Sequence, residues 1–184
     1  MDEDDTRAGD APGTIVRCRR HGDMDECVAM LAEVHTVDGY PTRWPADPQG
    51  WLTPENLFGA WVAKGDDGLL GHVALCAAAG DEAAPVWAAA SGVPADRIAA
   101  VSRLFVSPRA RGRGLGAVLL AAACAAASAR GLSPALDVVV VGHDRNAAMA
   151  LYERAGWRRV ASAPAPWALA NGEHPLMHYY LAPK

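Results

Sequence analysis

The sequence has little that would mark it for export, for a membrane or for a metal. Its four cysteines, Cys18, Cys27, Cys76 and Cys124, form no C-x-x-C pair, and none stands at zinc-ligand spacing from histidines. They read as reduced thiols of a cytosolic protein, with no metal site. The N-terminal run Met1-Asp2-Glu3-Asp4-Asp5 lacks the apolar stretch of a secretory signal. The longest apolar region, Leu115 to Ala129, is mostly alanine and falls short of the ~20 residues that a membrane helix needs. No repeat period appears. Basic charge is not in excess either, since the formal net charge is -4. These absences predict a soluble, cytoplasmic protein with no nucleic-acid partner and no membrane partner.

What is present suffices for one core. A chain of 184 residues is one domain by default. Residues 1–12, charged and nearly without apolar bulk, are expected to be a disordered acidic tail, and residues 13–184 a single domain. A short strand is expected at about Thr14 to Cys18. Asp23 then opens a helix, with Glu26 three residues on completing a capping box. Met24, Cys27, Val28, Leu31 and Val34 give that helix one apolar face. Prolines punctuate residues 36–57, with Tyr40, Trp44 and Trp51 among them. Aromatics on such a loop either line a ligand site or pack onto the core. Leu57 to Ala63 and Leu69 to Cys76 read as a hairpin. Residues 80–97 are expected to be irregular, with at most one helical turn around Pro94 to Arg97.

The second half is more regular. Ile98 to Val106 is a strand that Pro108 ends. A glycine-rich loop follows, then a helix from about Gly114 to Arg130 whose predicted buried face is Leu115, Val118, Leu119, Ala122 and Ala126. Gly131 stands where a left-handed cap is wanted. Leu136 to Val141 is the next strand, and its unalternating valines suit a parallel strand covered on both faces. Asn146 to Ala155 is a short helix, and Trp157 to Ala161 and Leu176 to Leu181 are two final strands. A strand-helix-strand unit implies a parallel pair, and the hairpins make the sheet mixed.

The loop Arg111-Gly112-Arg113-Gly114-Leu115-Gly116 carries the chemistry. A helix start presents unpaired N–H groups and a partial positive charge, and glycines let a phosphate approach them. Arg109, Arg111 and Arg113 favour an anion further, and pyrophosphate is the natural guest. The loop lacks the Gly-Lys-Ser/Thr end of a Walker loop. Gly112, Gly114 and Ala117 fit a dinucleotide fingerprint, but the next strand ends Val140-Val141-Gly142 where that fold wants an acid.

The segment Val106-Ser107-Pro108-Arg109-Ala110-Arg111-Gly112-Arg113-Gly114-Leu115-Gly116 resembles the acetyl-CoA signature V-x-x-x-x-Q/R-x-x-G-x-G/A of the GNAT acetyltransferase superfamily, and every defined position is met. Asn146 through Trp157 is similar to the family's N-x-x-A-x-x-L-Y-E-x-x-G-F segment, with the alanine one place off and Trp157 in place of phenylalanine. The resemblance implies an α/β fold of the α+β type, with a mixed, centrally splayed sheet flanked by helices. It implies an acetyl-CoA-dependent N-acetyltransferase in which a primary amine attacks the thioester directly, with no metal. Acetyl-CoA would lie on Arg111, Gly112, Arg113, Gly114, Leu115, Gly116 and Ala117, its pantetheine arm along Leu104, Phe105 and Val106, with a further contact from Asn146. Tyr152 resembles the proton donor to the leaving thiolate; without the glycine-loop motif, a tyrosine on an amphipathic helix would read as core. The motif does not fix the base. His72 and His143 are candidates, each more often a structural residue. A small-molecule amine is the expected acceptor, with a protein N-terminus or lysine as the alternative. A non-catalytic acyl-CoA-binding module stands beside both. Family members often dimerise, and the edge strands would permit a homodimer.

Overall fold

The computed structural model describes residues 13–140 and 147–183. The expected tail, 1–12, lies outside the described residues, as do His143 and Asn146. The fold is mixed α/β, with seven strands, mostly antiparallel, among the described residues, in line with the expected class. The chain forms two compact units, one ending at Cys76 and resuming over Val101–Ala126, the other made of Ala77–Ala100 and the chain from Ala127 onward.

In the first unit the strands run in the order β1 (Ile15–Cys18), β2 (Leu57–Gly65), β3 (Gly68–Ala77) and the part of β4 (Ile98–Val106) from Val101 on. β1 with β2, and β2 with β3, are antiparallel. Gly65 pairs with Gly68, so Asp66 and Asp67 alone make the turn, and Gly68 takes φ +111° there. Helix α1 (Met24–Asp38) buries Cys27, Met30, Leu31 and Val34 against Leu52, Val62, Leu69 and Phe105. The short helix α2 (Pro48–Leu52) begins on an Asp47 cap that accepts the Gly50 N–H at 3.0 Å.

The capping box expected at Asp23 and Glu26 does not form. A 3₁₀ turn over His21–Asp23 already holds Asp23 in helical geometry (φ -85°, ψ -9°), whereas a capping residue needs an extended backbone. The Asp23 carboxylate instead takes a bidentate pair from Arg17 at 2.7 and 2.8 Å and the Arg20 N–H at 2.6 Å. Glu26 accepts the Leu69 N–H at 2.5 Å and so ties α1 to the hairpin. The Arg17 hydrogen bonds hold the Asp23 carboxyl down at about 2 against an ordinary 3.8. A depressed carboxyl stabilises the fold above its unfolded pKa and loses that contribution as pH falls through the folded one. Asp23→Asn is therefore expected to cost about 1–2 kcal/mol at pH 7, after allowance for screening of the pair by solvent. Urea unfolding checks this: the gap between variant and wild type should close as pH falls from about 4 toward 2.

In the second unit the order is the start of β4, β5 (Ser133–Val140), β7 (Leu176–Leu181) and β6 (Arg158–Pro164). The expected parallel pair is present but short: Ile98–Ala100 lie beside Ser133–Ala135. Val138 to Val140 pair antiparallel with His178 to Leu176 and are only partly buried, so the valine run is not the twice-covered parallel strand its composition suggested. Val141 lies outside the described residues.

Helix α3 (Ala84–Ser91) runs through the stretch expected to be irregular. Pro85 sits in its first turn, where a missing N–H costs nothing, and three alanines follow. Gly92 closes it at φ +72°, its N–H on the Ala88 carbonyl at 2.9 Å. Trp87 on this helix is fully buried with Ile98, Ala135, Tyr179 and Leu181, and its indole N–H reaches the Leu136 carbonyl at 3.3 Å. Helix α5 (Ala147–Arg154) buries Met149 and Tyr152.

Helix α4 (Leu115–Ala129) begins in the first unit and ends in the second. Leu115 and Leu119 are buried as expected, but Leu120, Ala123 and Ala127 complete the stripe in place of Val118, Ala122 and Ala126. Where most side chains are alanine, apolarity does not say which face turns inward. Among the described residues no helix is long and apolar enough to cross a membrane.

Candidate active site

Strand β4 delivers the chain to Ser107, whose N–H bonds the Leu70 carbonyl at 2.9 Å, and Pro108–Ala110 form one 3₁₀ turn. Gly112 and Gly114 then take φ +75° and +73°. A Cβ at either would meet nothing within 4 Å, so it is the backbone conformation, not crowding, that calls for glycine. The first ladder bonds of α4 run from the Ala117 and Val118 N–H groups to the Gly114 carbonyl, at 3.0 and 3.3 Å. Gly114 is thus the cap, and the amides of Leu115 and Gly116 fall in the turn whose donors a helix cannot satisfy itself. Arg109 donates to the Leu69 carbonyl at 3.2 Å, and Arg111 pairs with Asp38. Two of the three arginines counted as anion ligands thus have protein partners as well.

Upstream on β4, Arg103 has φ +51°. Its carbonyl accepts from His72 Nδ1 at 2.9 Å. The His72 ring is fully buried on β3, stacked on Phe105 with centroids 5.2 Å apart and planes 19° apart. Its Nε2 faces Arg19 Nη1 at 3.0 Å, and Arg19 also donates to the Leu52 carbonyl at 2.8 Å and to Thr53 Oγ1 at 2.7 Å. Burial pushes the His72 pKa down to about 3. The Arg103 guanidinium lies 4.9 Å over the Trp51 ring and donates to the Trp51 carbonyl and, at 2.9 Å, to Ser102 Oγ. Tyr40 joins this wall, 6.0 Å from Trp51 and 6.3 Å from Phe105 between centroids, while Trp44 stands apart against His35 and is 41% exposed.

In the second unit, Tyr152 on α5 is buried against Trp157 and Tyr180, at 6.2 and 5.7 Å between centroids. Tyr180 pairs with Leu136 on β5, and Asp137 pairs with Tyr179. Successive strand residues point to opposite faces. Tyr152 therefore packs on one face of the β5–β7 pair while Asp137 belongs to the other, the face of Ala135, Tyr179 and Trp87. The Asp137 carboxyl is pushed up to about 6 from 3.8, first by burial and then by the charge of Asp81.

The family model described as the acetyltransferase (GNAT) family matches residues 24–157, well over half of the chain. The chain belongs to that family. GNAT members transfer an acetyl group from acetyl-CoA, so this chain is an acetyltransferase with acetyl-CoA as cosubstrate. Among solved structures, an Arabidopsis thaliana NAA60 in complex with acetyl-CoA is similar with TM-score 0.68 and 19% identity, covering 91% of this chain and 97% of that one. The Escherichia coli ribosomal-protein-S18-alanine N-acetyltransferase follows at TM-score 0.65 and 14% identity over 92% and 93%. A putative phosphinothricin N-acetyltransferase matches at 0.65 and 20% over 92% and 97%. At these identities the likeness bears on the fold. No curated protein sequence matches the chain significantly.

Within this GNAT chain Leu104, Phe105 and Val106 end β4 just ahead of the Arg111-to-Ala117 loop in the first unit, and His72 lies against Arg103 and Phe105. Asp137 was missed as a functional candidate by sequence reasoning. The signal was a carboxylate between Leu136 and Val138 in a sequence run otherwise apolar from Ala135 to Val141.

Proposed function

We propose that this acetyltransferase moves the acetyl group of acetyl-CoA to a primary amine of a small molecule, in one step and without an acyl-enzyme. The observation that carries the reading is the left-handed, unobstructed glycine pair Gly112 and Gly114 at the start of α4. The backbone amides from Arg111 to Gly116 hold the diphosphate there, with Ala117 behind them. Leu104, Phe105 and Val106 offer backbone to the pantetheine arm, and Asn146 is its further contact by resemblance. Acetyl-CoA supplies an activated acyl group, and the protein places the amine beside it.

Two protons must move. Asp137, whose carboxyl titrates near 6, takes the proton of the ammonium directly or through water. Tyr152 gives its phenol proton to the departing sulfur and, through solvent, recovers the second proton that the nitrogen sheds as it becomes an amide. The resemblance supports Tyr152 as the donor, and the raised carboxyl of Asp137 in an otherwise apolar stretch supports it as the base. The aromatic wall of Tyr40, Trp51 and Phe105 suits an amine with an apolar body. A solved structure named for phosphinothricin acetylation shares the fold, although protein acetyltransferases do too.

Calorimetry with acetyl-CoA, followed by thiol release against small amines, free-N-terminus peptides and lysine peptides, tests the reading. Saturable binding with turnover of small amines is expected. Turnover of peptides alone would move the acceptor to proteins, and absence of acetyl-CoA binding would overturn the proposal.

A further inference from the structure

Arg103 is the one non-glycine residue with positive φ among the described residues. A side chain in that region is strained, so the surroundings must impose it. They do so twice. The guanidinium is fixed on Trp51 and Ser102, and the carbonyl is fixed on His72. The His72 ring is itself fully buried, stacked on Phe105 and bound at both nitrogens. An arginine is always a donor, so Nε2 facing Arg19 is an acceptor, and Nδ1 carries the proton given to the Arg103 carbonyl. That tautomer leaves neither nitrogen turned toward a substrate. His72 is thus built as a neutral connector, and the base role considered for it from sequence lacks a lone pair to perform it.

A connector to this particular carbonyl has a consequence. The peptide between Arg103 and Leu104 is planar and trans, so its C=O and N–H point in opposite directions. Holding the Arg103 carbonyl on the His72 side directs the Leu104 N–H away from it. We propose that His72 is a positioning residue, which through the Arg103 carbonyl aims the Leu104 N–H at the acetyl carbonyl, where that amide stabilises the oxyanion as the amine adds. Arg19 belongs to the same device, since it selects the tautomer and anchors it to Leu52 and Thr53. The inference rests on the acetyl-transfer reading above and assigns a job which that reading left open. Losing one oxyanion donor costs about 10²–10³ in kcat, so an amide that is aimed wrongly forfeits up to that factor.

Two isosteres separate the functions of the ring. His72→Asn places an amide N–H near Nδ1 and keeps the bond to the Arg103 carbonyl, while giving up the acceptor for Arg19. His72→Gln reaches the Nε2 position and keeps Arg19, while giving up the carbonyl. Steady-state kinetics with an amine that the wild type turns over, calorimetry with acetyl-CoA and thermal melts are run on both. His72→Asn should hold kcat within about threefold, whereas His72→Gln should lose about 10²-fold. Both should keep the wild-type Kd for acetyl-CoA, because the diphosphate loop is untouched, and both should keep the wild-type pH inflections. Equal losses in the two variants, tracking their melting temperatures, would reduce His72 to packing and overturn the inference. So would a dead Asn variant that has lost an inflection, since His72 would then be the base. Should neither variant fold, the wild type still decides: the carbonyl stretch of bound 13C-acetyl-CoA should lie below that of the free thioester, and an unshifted band sinks the proposal. Failure of the wild type to bind acetyl-CoA at all is a different result and removes the underlying reading.

Discussion

Gly114→Glu should abolish acetyl-CoA binding, with a loss of more than about 100-fold, or about 2.7 kcal/mol, by calorimetry. Two effects add. A side chain at φ +73° either accepts strain of about 1–2 kcal/mol or relaxes the backbone and turns the amides of Leu115 and Gly116 away. The new carboxylate also occupies the positive end of α4 and repels the diphosphate by like charge. Fold stability should change far less, because the added atoms meet open space. A carboxylate at a helix start stabilises by about 0.3–1 kcal/mol, which offsets part of the strain. A net cost of about 1 kcal/mol corresponds to a drop of about 2–4 °C in a chain of this size. Gly114→Ala is the control, for it adds the strain without the charge and should cost less than about tenfold in affinity. If Glu and Ala behave alike, charge at this helix end is irrelevant to binding and the diphosphate lies elsewhere.

How much of this was legible in the sequence depends on the range of the interaction involved. Strand β4 runs from Ile98 to Val106 as expected, because an apolar run bounded by Pro108 is a local signal. The cap of α4 was legible for the same reason: Gly131 takes φ +66° and the Leu132 N–H reaches back to the Ala127 carbonyl at 3.0 Å. Helix α3 was hidden because residues 80–97, rich in Ala, Gly and Pro, read as irregular, whereas Pro85 stands in a first turn. What was not legible depends on distant partners. Asp23 and Glu26 have capping-box spacing, but Arg17 and the Leu69 amide, out of the box and up to 43 residues away, claim them. His72 read as a lone strand histidine because Arg19 and Arg103, which fix its tautomer, lie 53 and 31 residues off. The same holds for Asp137, whose acidity is set by burial and by Asp81 rather than by any neighbour along β5.

Asp137 therefore bears the other large expected effect. Asp137→Asn should lower kcat by about 10²–10⁴, the range that positioned acid–base catalysis supplies, with acetyl-CoA affinity unchanged. The charged and titratable groups around it are Asp81 and Glu82, just ahead of α3, and Tyr179 across the strand pair. A base must be unprotonated, so wild-type kcat/KM should rise with pH through about 6, and the variant should lack that limb. Asp81→Asn removes the like charge that helps to raise Asp137, and so should slide the limb to lower pH while leaving the plateau. The stability profile runs the other way. A carboxyl raised from 3.8 to about 6 by folding binds its proton more tightly in the native state. The fold thus loses stability as pH rises from about 4 to about 6, by roughly 2–3 kcal/mol at most, and the loss persists above that window. Asp137→Asn should be as stable as wild type at pH 4 and more stable at pH 8. An enzyme that becomes sturdier and nearly inactive by the same substitution holds its carboxylate for chemistry, at the expense of the fold. If the variant keeps its rate, or loses it together with stability at pH 8, Asp137 is not the base.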